Sequence, residues 1–246
     1  MSDYPPGAPH HEASSRHVTF PGRGIGDENV PTLEGRLLVA PDGTLHPGVV
    51  LCHANPAAGG NMDMGLMEAI EAALAEAGIS TLRYNSRGVG ASDGAVSKSP
   101  GNKLVAPEGE PEMRDVGAAL DFLALQEGVD ERRLALVGHS FGARISLAYL
   151  AAHPGEERVR GVACIGLPVA WRDLSHLGQW PHPKLFVTGE RDDFSPPEEL
   201  AEYVAGLPEP ANQVILKRTG HFFEGREHDL AAVVTEFMRR VLTPDI

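Results

Sequence analysis

The stretch that decides the fold is Leu134-Ala135-Leu136-Val137-Gly138-His139-Ser140-Phe141-Gly142, continuing through Ala143 to Ala152. Leu134 to Val137 is a short apolar run of strand type, and 141–152 carries a helical pattern. A G-x-S-x-G pentapeptide fills the junction between them. Such a pentapeptide arises often by chance, but directly between strand and helix it describes a sharp turn that presents its serine as an exposed nucleophile. That turn holds the serine in a strained backbone conformation. Side chains two residues before it and two after would collide, which accounts for glycine at both 138 and 142. Ser140 is thereby seated at the start of a helix. Backbone amides and the positive end of the helix then face any negative charge that develops beside it.

Outward from this turn, apolar strand-like runs alternate with helical patterns. Strands are expected at 16–20, 32–40, 49–52, 80–84, 134–137, 162–165, 185–188 and 214–216. Several are apolar throughout rather than alternating, as in strands covered on both faces. Helices are expected at about 63–77, 112–126, 141–152, 197–205 and 227–242, the first stopped by Gly78 and the second before Gly128. The alternation implies an α/β fold with a mostly parallel eight-stranded sheet and helices on both faces. Residues 1–15, rich in Pro, Ser, His and Gly, read as a flexible tail, and 16–246 as a single domain. The Gly- and Pro-containing stretch 94–111 is the one long loop.

Composition narrows the partners. The chain has 246 residues, 42% of them apolar, which suffices for one sizeable core. A net charge of −13 argues against nucleic acid or an anionic membrane surface, both of which call for a basic patch. No apolar run reaches the length of a membrane span, and the N-terminus lacks a basic region followed by a hydrophobic one. A cytoplasmic location is the default expectation. Cys52 and Cys164 lie in apolar runs without CxxC spacing and read as buried small hydrophobes. Gly22-Arg23-Gly24-Ile25-Gly26 has the wrong spacing for a dinucleotide fingerprint, and no HExxH or compact ligand group is present. Neither a cofactor nor a metal is expected.

A serine hydroxyl is a poor nucleophile at neutral pH; it needs a base, and the base an orienting acid. After an elbow of this kind they follow in the order acid, then histidine. Gly189-Glu190-Arg191-Asp192-Asp193-Phe194-Ser195-Pro196 follows the strand 185–188 and offers Asp192 and Asp193. Among eleven histidines, His221 in Gly220-His221-Phe222-Phe223 alone has the required order and loop context. A second donor for the developing oxyanion is expected after the third strand, where His53-Ala54-Asn55-Pro56-Ala57-Ala58-Gly59-Gly60-Asn61-Met62 stands. The expected pair is the backbone N–H of Asn55, with Ala54 as fallback, and that of Phe141. Arg87 and Asp93, in the turn after 80–84, are expected to brace the sheet rather than touch substrate.

These motifs together resemble a group within the α/β-hydrolase superfamily: compact carboxylesterase-like proteins related to dienelactone hydrolases and to serine aminopeptidase-like and Xaa-Pro dipeptidyl-peptidase-like hydrolase domains. The resemblance covers about residues 30–242. It rests on His53-Ala54-Asn55-Pro56, Gly59-Gly60-Asn61-Met62, Leu82 to Ser92, the elbow, Gly189-Glu190-Arg191-Asp192 and Gly220-His221-Phe222-Phe223. The chain departs from the usual pattern at Ala54, where proline or glycine is common, and in its extended 94–111 loop. Asp192, three residues past Gly189 and four before Pro196, has the spacing usual for hydrolases of this kind, with Asp193 as the alternative. The resemblance implies a triad of Ser140, Asp192 and His221 acting on a small-molecule ester. The short segment 166–182 has room for a small flap bearing Trp171, Leu174, Leu177 and Trp180, but not for a lid domain. Short acyl chains are therefore the expected substrates. Amide hydrolysis from an N-terminus, and a non-catalytic binding module, are the competing readings.

Overall fold

The computed structural model describes residues 15–24, 30–41, 44–96, 110–171 and 178–243. Within them one sheet is built from β1 (Arg16–Pro21), β2 (Thr32–Leu38), β3 (His46–Cys52), β4 (Ser80–Tyr84), β5 (Val129–His139), β6 (Val159–Ile165), β7 (Lys184–Gly189) and β8 (Ala211–Leu216). Their spatial order is β1-β2-β4-β3-β5-β6-β7-β8. The β1–β2 and β2–β4 pairs are antiparallel and the remaining pairs parallel. This is the mostly parallel eight-stranded sheet, and the α/β-hydrolase architecture, that the sequence leads one to expect.

The helices are α1 (Gly65–Glu76), α2 (Glu110–Ala124), α3 (Phe141–Ala152), α4 (Pro197–Ala205) and α5 (Glu227–Leu242). Strand side chains alternate between two cores. Val50, Cys52, Leu134, Leu136, Val162, Cys164 and Phe186 pack with α2, α3 and α4 on one face. Val49, Leu51, Ala135, Val137, Ala163, Ile165, Leu185 and Val187 pack with α1 and α5 on the other. A period of two with both faces covered gives these strands unbroken apolar runs at their centres. Each fully buried aliphatic side chain contributes roughly 1.5–3 kcal/mol relative to exposure.

Helices α3, α4 and α5 have the expected bounds, whereas α1 and α2 each start two residues away from expectation. β5 begins five residues early, at Val129. Its first half, Asp130-Glu131-Arg132-Arg133, carries no apolar signal, and an Arg133 Nε–Asp130 Oδ2 pair at 2.7 Å lies along it. Arg87 and Asp93 brace the fold, as expected. Arg87 Nη2 donates to buried Asp115 Oδ1 at 2.6 Å, and Asp93 Oδ2 accepts from Thr32 N–H at 3.0 Å. Cys52 and Cys164 are free and buried, and burial pushes the Cys52 thiol up to about 11.

Trp180 departs from expectation: it packs in the core rather than on a flap. Lys184 Nζ holds the Trp180 carbonyl at 2.7 Å, drawing that segment down onto β7. The tail 1–14, most of the 94–111 loop, and Leu174 and Leu177 lie outside the described residues. Among the described residues no helix is long and apolar enough to cross a membrane.

Parallel pairing collects the carboxyl ends of β3, β5, β6 and β7 on one edge. Cys52 lies opposite Gly138, Gly138 opposite Cys164, and Gly189 opposite Leu216. Loops from consecutive β-α units therefore meet above that edge, where open α/β sheets bind their ligands.

Candidate active site

Ser140 stands between β5 and α3 with φ 54° and ψ −109°. A non-glycine residue at positive φ is strained, and the surrounding packing enforces it here. A Cβ at Gly138 would meet the Gly142 backbone at 2.3 Å, and one at Gly142 would meet the Cys52 carbonyl at 2.1 Å. Serine at a helix N-cap ordinarily turns its hydroxyl onto the first-turn amides. Ser140 makes no such bond; its Oγ lies 2.9 Å from His221 Nε2.

His221, on the loop between β8 and α5, is buried, and its Nδ1 lies 3.0 and 2.9 Å from the two oxygens of Asp192. An ionised carboxylate only accepts, so Nδ1 carries the ring proton and Nε2 is left to accept from the Ser140 hydroxyl. Asp192 is held in turn: its Oδ1 accepts from the N–H groups of Phe194 and Ser195, both at 2.9 Å. Asp193, its competitor in the sequence, is exposed. The structure thus joins Ser140, His221 and Asp192 from three separate loops, 52 and 29 residues apart along the chain (192 − 140 and 221 − 192).

The loop after β3 lies against the first turn of α3, as the Gly142–Cys52 approach requires. Asn55 caps the short 3₁₀ turn Pro56–Ala58, its Oδ1 accepting from Ala57 N–H at 2.9 Å. Its carbonyl accepts from Ala58 and Gly60 at 3.0 Å each. The peptide unit joining Ala54 to Asn55 is pinned from behind. His53 Nε2 accepts from Ser86 N–H at 3.1 Å, so its Nδ1 carries the proton and donates to the Ala54 carbonyl at 2.7 Å. In a trans peptide the N–H of Asn55 points away from that carbonyl. Phe141 is the first residue of α3, where an amide has no carbonyl partner within its own helix.

Several residues around the site escape sequence reasoning. Gly166, just past β6, has φ 55°, and a Cβ there would stand 3.0 Å from His221 Cε1 and 3.3 Å from Asp192 Oδ2. The elbow glycines carry a recognisable spacing; Gly166 carries none. Phe194 stacks on the His221 ring at 4.5 Å, and Phe222, half exposed, meets that ring edge-on at 5.3 Å. His139 was visible only as a variable letter of the pentapeptide, yet its Nε2 lies 3.0 Å from the His221 carbonyl. Burial pushes both His53 and His139 down to about 4, so both rings are uncharged at neutral pH.

Beyond the β3 loop a cleft of about 550 Å³ is lined by Glu34, Arg36, Asn61, Asp63 and Asn85 among others. Its Glu34 carboxylate is already satisfied, accepting from Asn85 Nδ2 at 2.7 Å and Ala91 N–H at 2.6 Å. Among the described residues no group of three His, Cys, Asp or Glu could hold a metal ion.

Residues 47–177 match the sequence profile of a family described as alpha/beta hydrolase fold. That span includes Ser140 and the β3 loop and ends before Asp192 and His221. A solved structure from Xanthomonas campestris, described as an α/β serine hydrolase without lid, is 27% identical with a TM-score of 0.75; the match covers 96% of this chain and 99% of that one. An α/β serine hydrolase homologue from Coxiella burnetii is 27% identical, with a TM-score of 0.71 over 89% of this chain and 96% of that one. Among curated sequences, an uncharacterized protein of Rickettsia prowazekii is 25% identical over 211 residues, 84% of each chain.

Proposed function

The chain belongs to the α/β-hydrolase family, and from that premise we propose that it is a serine hydrolase cleaving carboxylic esters, preferentially short-chain ones, through an acyl-enzyme on Ser140. The observation that carries this reading is the unbroken hydrogen-bond chain from Ser140 Oγ through His221 to Asp192, with links of 2.9 to 3.0 Å.

In this mechanism Ser140 Oγ attacks the ester carbonyl while His221 Nε2 takes the hydroxyl proton. Asp192 holds the Nδ1–H tautomer and stabilises the imidazolium so formed. The N–H groups of Asn55 and Phe141 receive the oxyanion, with His53 fixing the peptide that supplies the first of them. Collapse of the tetrahedral adduct breaks the bond to the leaving oxygen, which takes its proton from His221 Nε2. A water then repeats the sequence: His221 removes its proton, the oxygen attacks the acyl carbon, and Ser140 leaves with the proton returned to it. The acid is released and the enzyme restored.

Ester over amide, and short over long acyl groups, is supported by the brevity of the chain between β6 and β7. It spans only 166–183 and has its Trp180 packed in the core, which leaves no room for a cap domain that would grip a free amine or a long chain. The lidless description of the Xanthomonas hydrolase accords with this. The test is a panel of p-nitrophenyl esters of rising acyl length beside aminoacyl p-nitroanilides. Turnover is expected to be highest for acetyl to butyryl esters and to fall by about 10⁴-fold or more in Ser140→Ala. Undiminished ester turnover in Ser140→Ala removes the nucleophile assignment. Anilide turnover above ester turnover replaces the ester reading with an amide one.

A further inference from the structure

The base of this mechanism sits on an irregular loop, and three hydrogen bonds to its backbone carbonyls hold that loop on either side of it. Arg191 N–H donates to the Thr219 carbonyl at 3.0 Å, Arg226 Nη1 to that of Lys217 at 2.8 Å, and Arg226 N–H to that of Phe223 at 2.8 Å. A fourth bond acts on His221 directly. His139 Nε2 lies 3.0 Å from the His221 carbonyl, and because a carbonyl only accepts, Nε2 is the protonated nitrogen. His139 is fully buried, and its other nitrogen, Nδ1, has no hydrogen-bond partner among the described residues. A buried acceptor without a partner lowers stability, and an apolar residue of similar length would avoid it. Core packing alone therefore does not account for histidine at this position.

We infer that His139 is a positioning residue for hydrolysis, its Nε2–H tying the backbone of His221 to the strand end that carries Ser140. The inference rests on the reading of Ser140 and His221 as nucleophile and base. His139 and Ser140 are consecutive, so the tether and the nucleophile belong to one rigid turn. Holding the His221 carbonyl from that turn sets the separation of Nε2 and Oγ through backbone rather than through the weak serine–histidine bond alone. The two imidazole rings lie 5.2 Å apart. Because burial keeps His139 uncharged, the imidazolium formed on His221 meets no like charge behind it. A misplacement of about 1 Å at such a distance costs on the order of 10²-fold in rate.

Three substitutions separate the tether from mere packing. His139→Gln places an amide N–H where the imidazole Nε2–H stands. His139→Met has the same reach without a donor, and the amide of His139→Asn falls short, at the Nδ1 position. The readouts are the rate at which a fluorophosphonate labels Ser140, kcat and KM for p-nitrophenyl acetate, and the thermal midpoint. His139→Met and His139→Asn are expected to lose about 10- to 100-fold in both kcat and labelling rate with KM nearly unchanged. His139→Gln is expected to recover to within about fivefold of the parent, although it and His139→Met melt at similar temperatures. Equal losses in His139→Gln and His139→Met, or a His139→Met protein that labels at the parent rate, overturn the inference. A parent that is labelled at Ser140 but spares esters removes the ester reading, and the labelling rates still decide the role of His139. A parent that is not labelled at Ser140 overturns the nucleophile and the tether together.

Discussion

His53 and His139 occupy equivalent places on neighbouring strands, one residue beyond the paired Cys52 and Gly138. Both are buried, and burial pushes both down to about 4. Their tautomers are opposite. His53 is protonated at Nδ1 and uses both nitrogens, accepting from Ser86 and donating to Ala54. His139 is protonated at Nε2 and, among the described residues, uses only that one. A ring with both nitrogens paired joins two loops and contributes to the fold; a ring with an unpaired lone pair is a cost to the fold and serves its neighbour. Identical residue type and burial thus conceal different duties, and hydrogen-bond accounting separates them.

The comparison can be broken at several points. The largest effect is expected at the acid that orients the base. Asp192→Asn should lower kcat by roughly 10³- to 10⁴-fold, because an amide can donate to Nδ1 and favour the wrong tautomer. Steady-state kinetics on p-nitrophenyl acetate check this, and a loss below tenfold would move the orienting role to Asp193.

Next is Gly166→Ala. The new Cβ would stand 3.0 Å from the His221 ring, at a position whose φ of 55° disfavours side chains. A loss of about 10²-fold in kcat with about 1–2 kcal/mol of stability is expected. It would show in kinetics and urea unfolding, and unchanged kinetics would mean that the loop yields at no cost.

The two histidines themselves should then diverge. His53→Leu strands the Ser86 amide and the Ala54 carbonyl and should cost roughly 2–4 kcal/mol in urea unfolding. His139→Met strands one carbonyl and relieves one unpaired nitrogen, so its loss of stability should be about 1 kcal/mol or less. Equal stability losses would erase the distinction drawn between the rings.

The smallest and most gradual effect is on pH. Both folded-state values lie near 4, below the ordinary 6.5, so the unfolded chain binds these protons first. The stability that goes with keeping these rings uncharged is therefore fully present above about pH 6.5 and is lost as pH falls toward 4. Urea midpoints across that window should fall less steeply in His139→Met than in the parent. An unchanged slope would show that His139 does not titrate there.

Much of this is legible in the sequence. Glycines two before and two after Ser140 encode a local steric demand, so the elbow can be read from five letters. The loop bearing Asp192 and Asp193, and His221 after it, follow from chain order, and the strands between them from apolar runs covered on both faces. β5 shows where such reading stops, since charged Asp130 to Arg133 carry a strand held by partners rather than by pattern. Trp180 shows a related limit, because the Lys184 ammonium that holds its carbonyl belongs to a lysine buried in β7, and no apolar pattern announces a buried lysine.

By itself, then, the sequence determined the α/β alternation, the nucleophile turn and the residues that would meet it, because strain and period are properties of neighbours along the chain. Only the tertiary structure decided which aspartate faces the base, which nitrogen of each histidine carries its proton, and that Gly166 and His139 border the same imidazole. Those depend on atoms from separate strands arriving within about 3 Å of one another. The His139–His221 contact spans 82 residues of chain, and no local pattern encodes a distance of that kind.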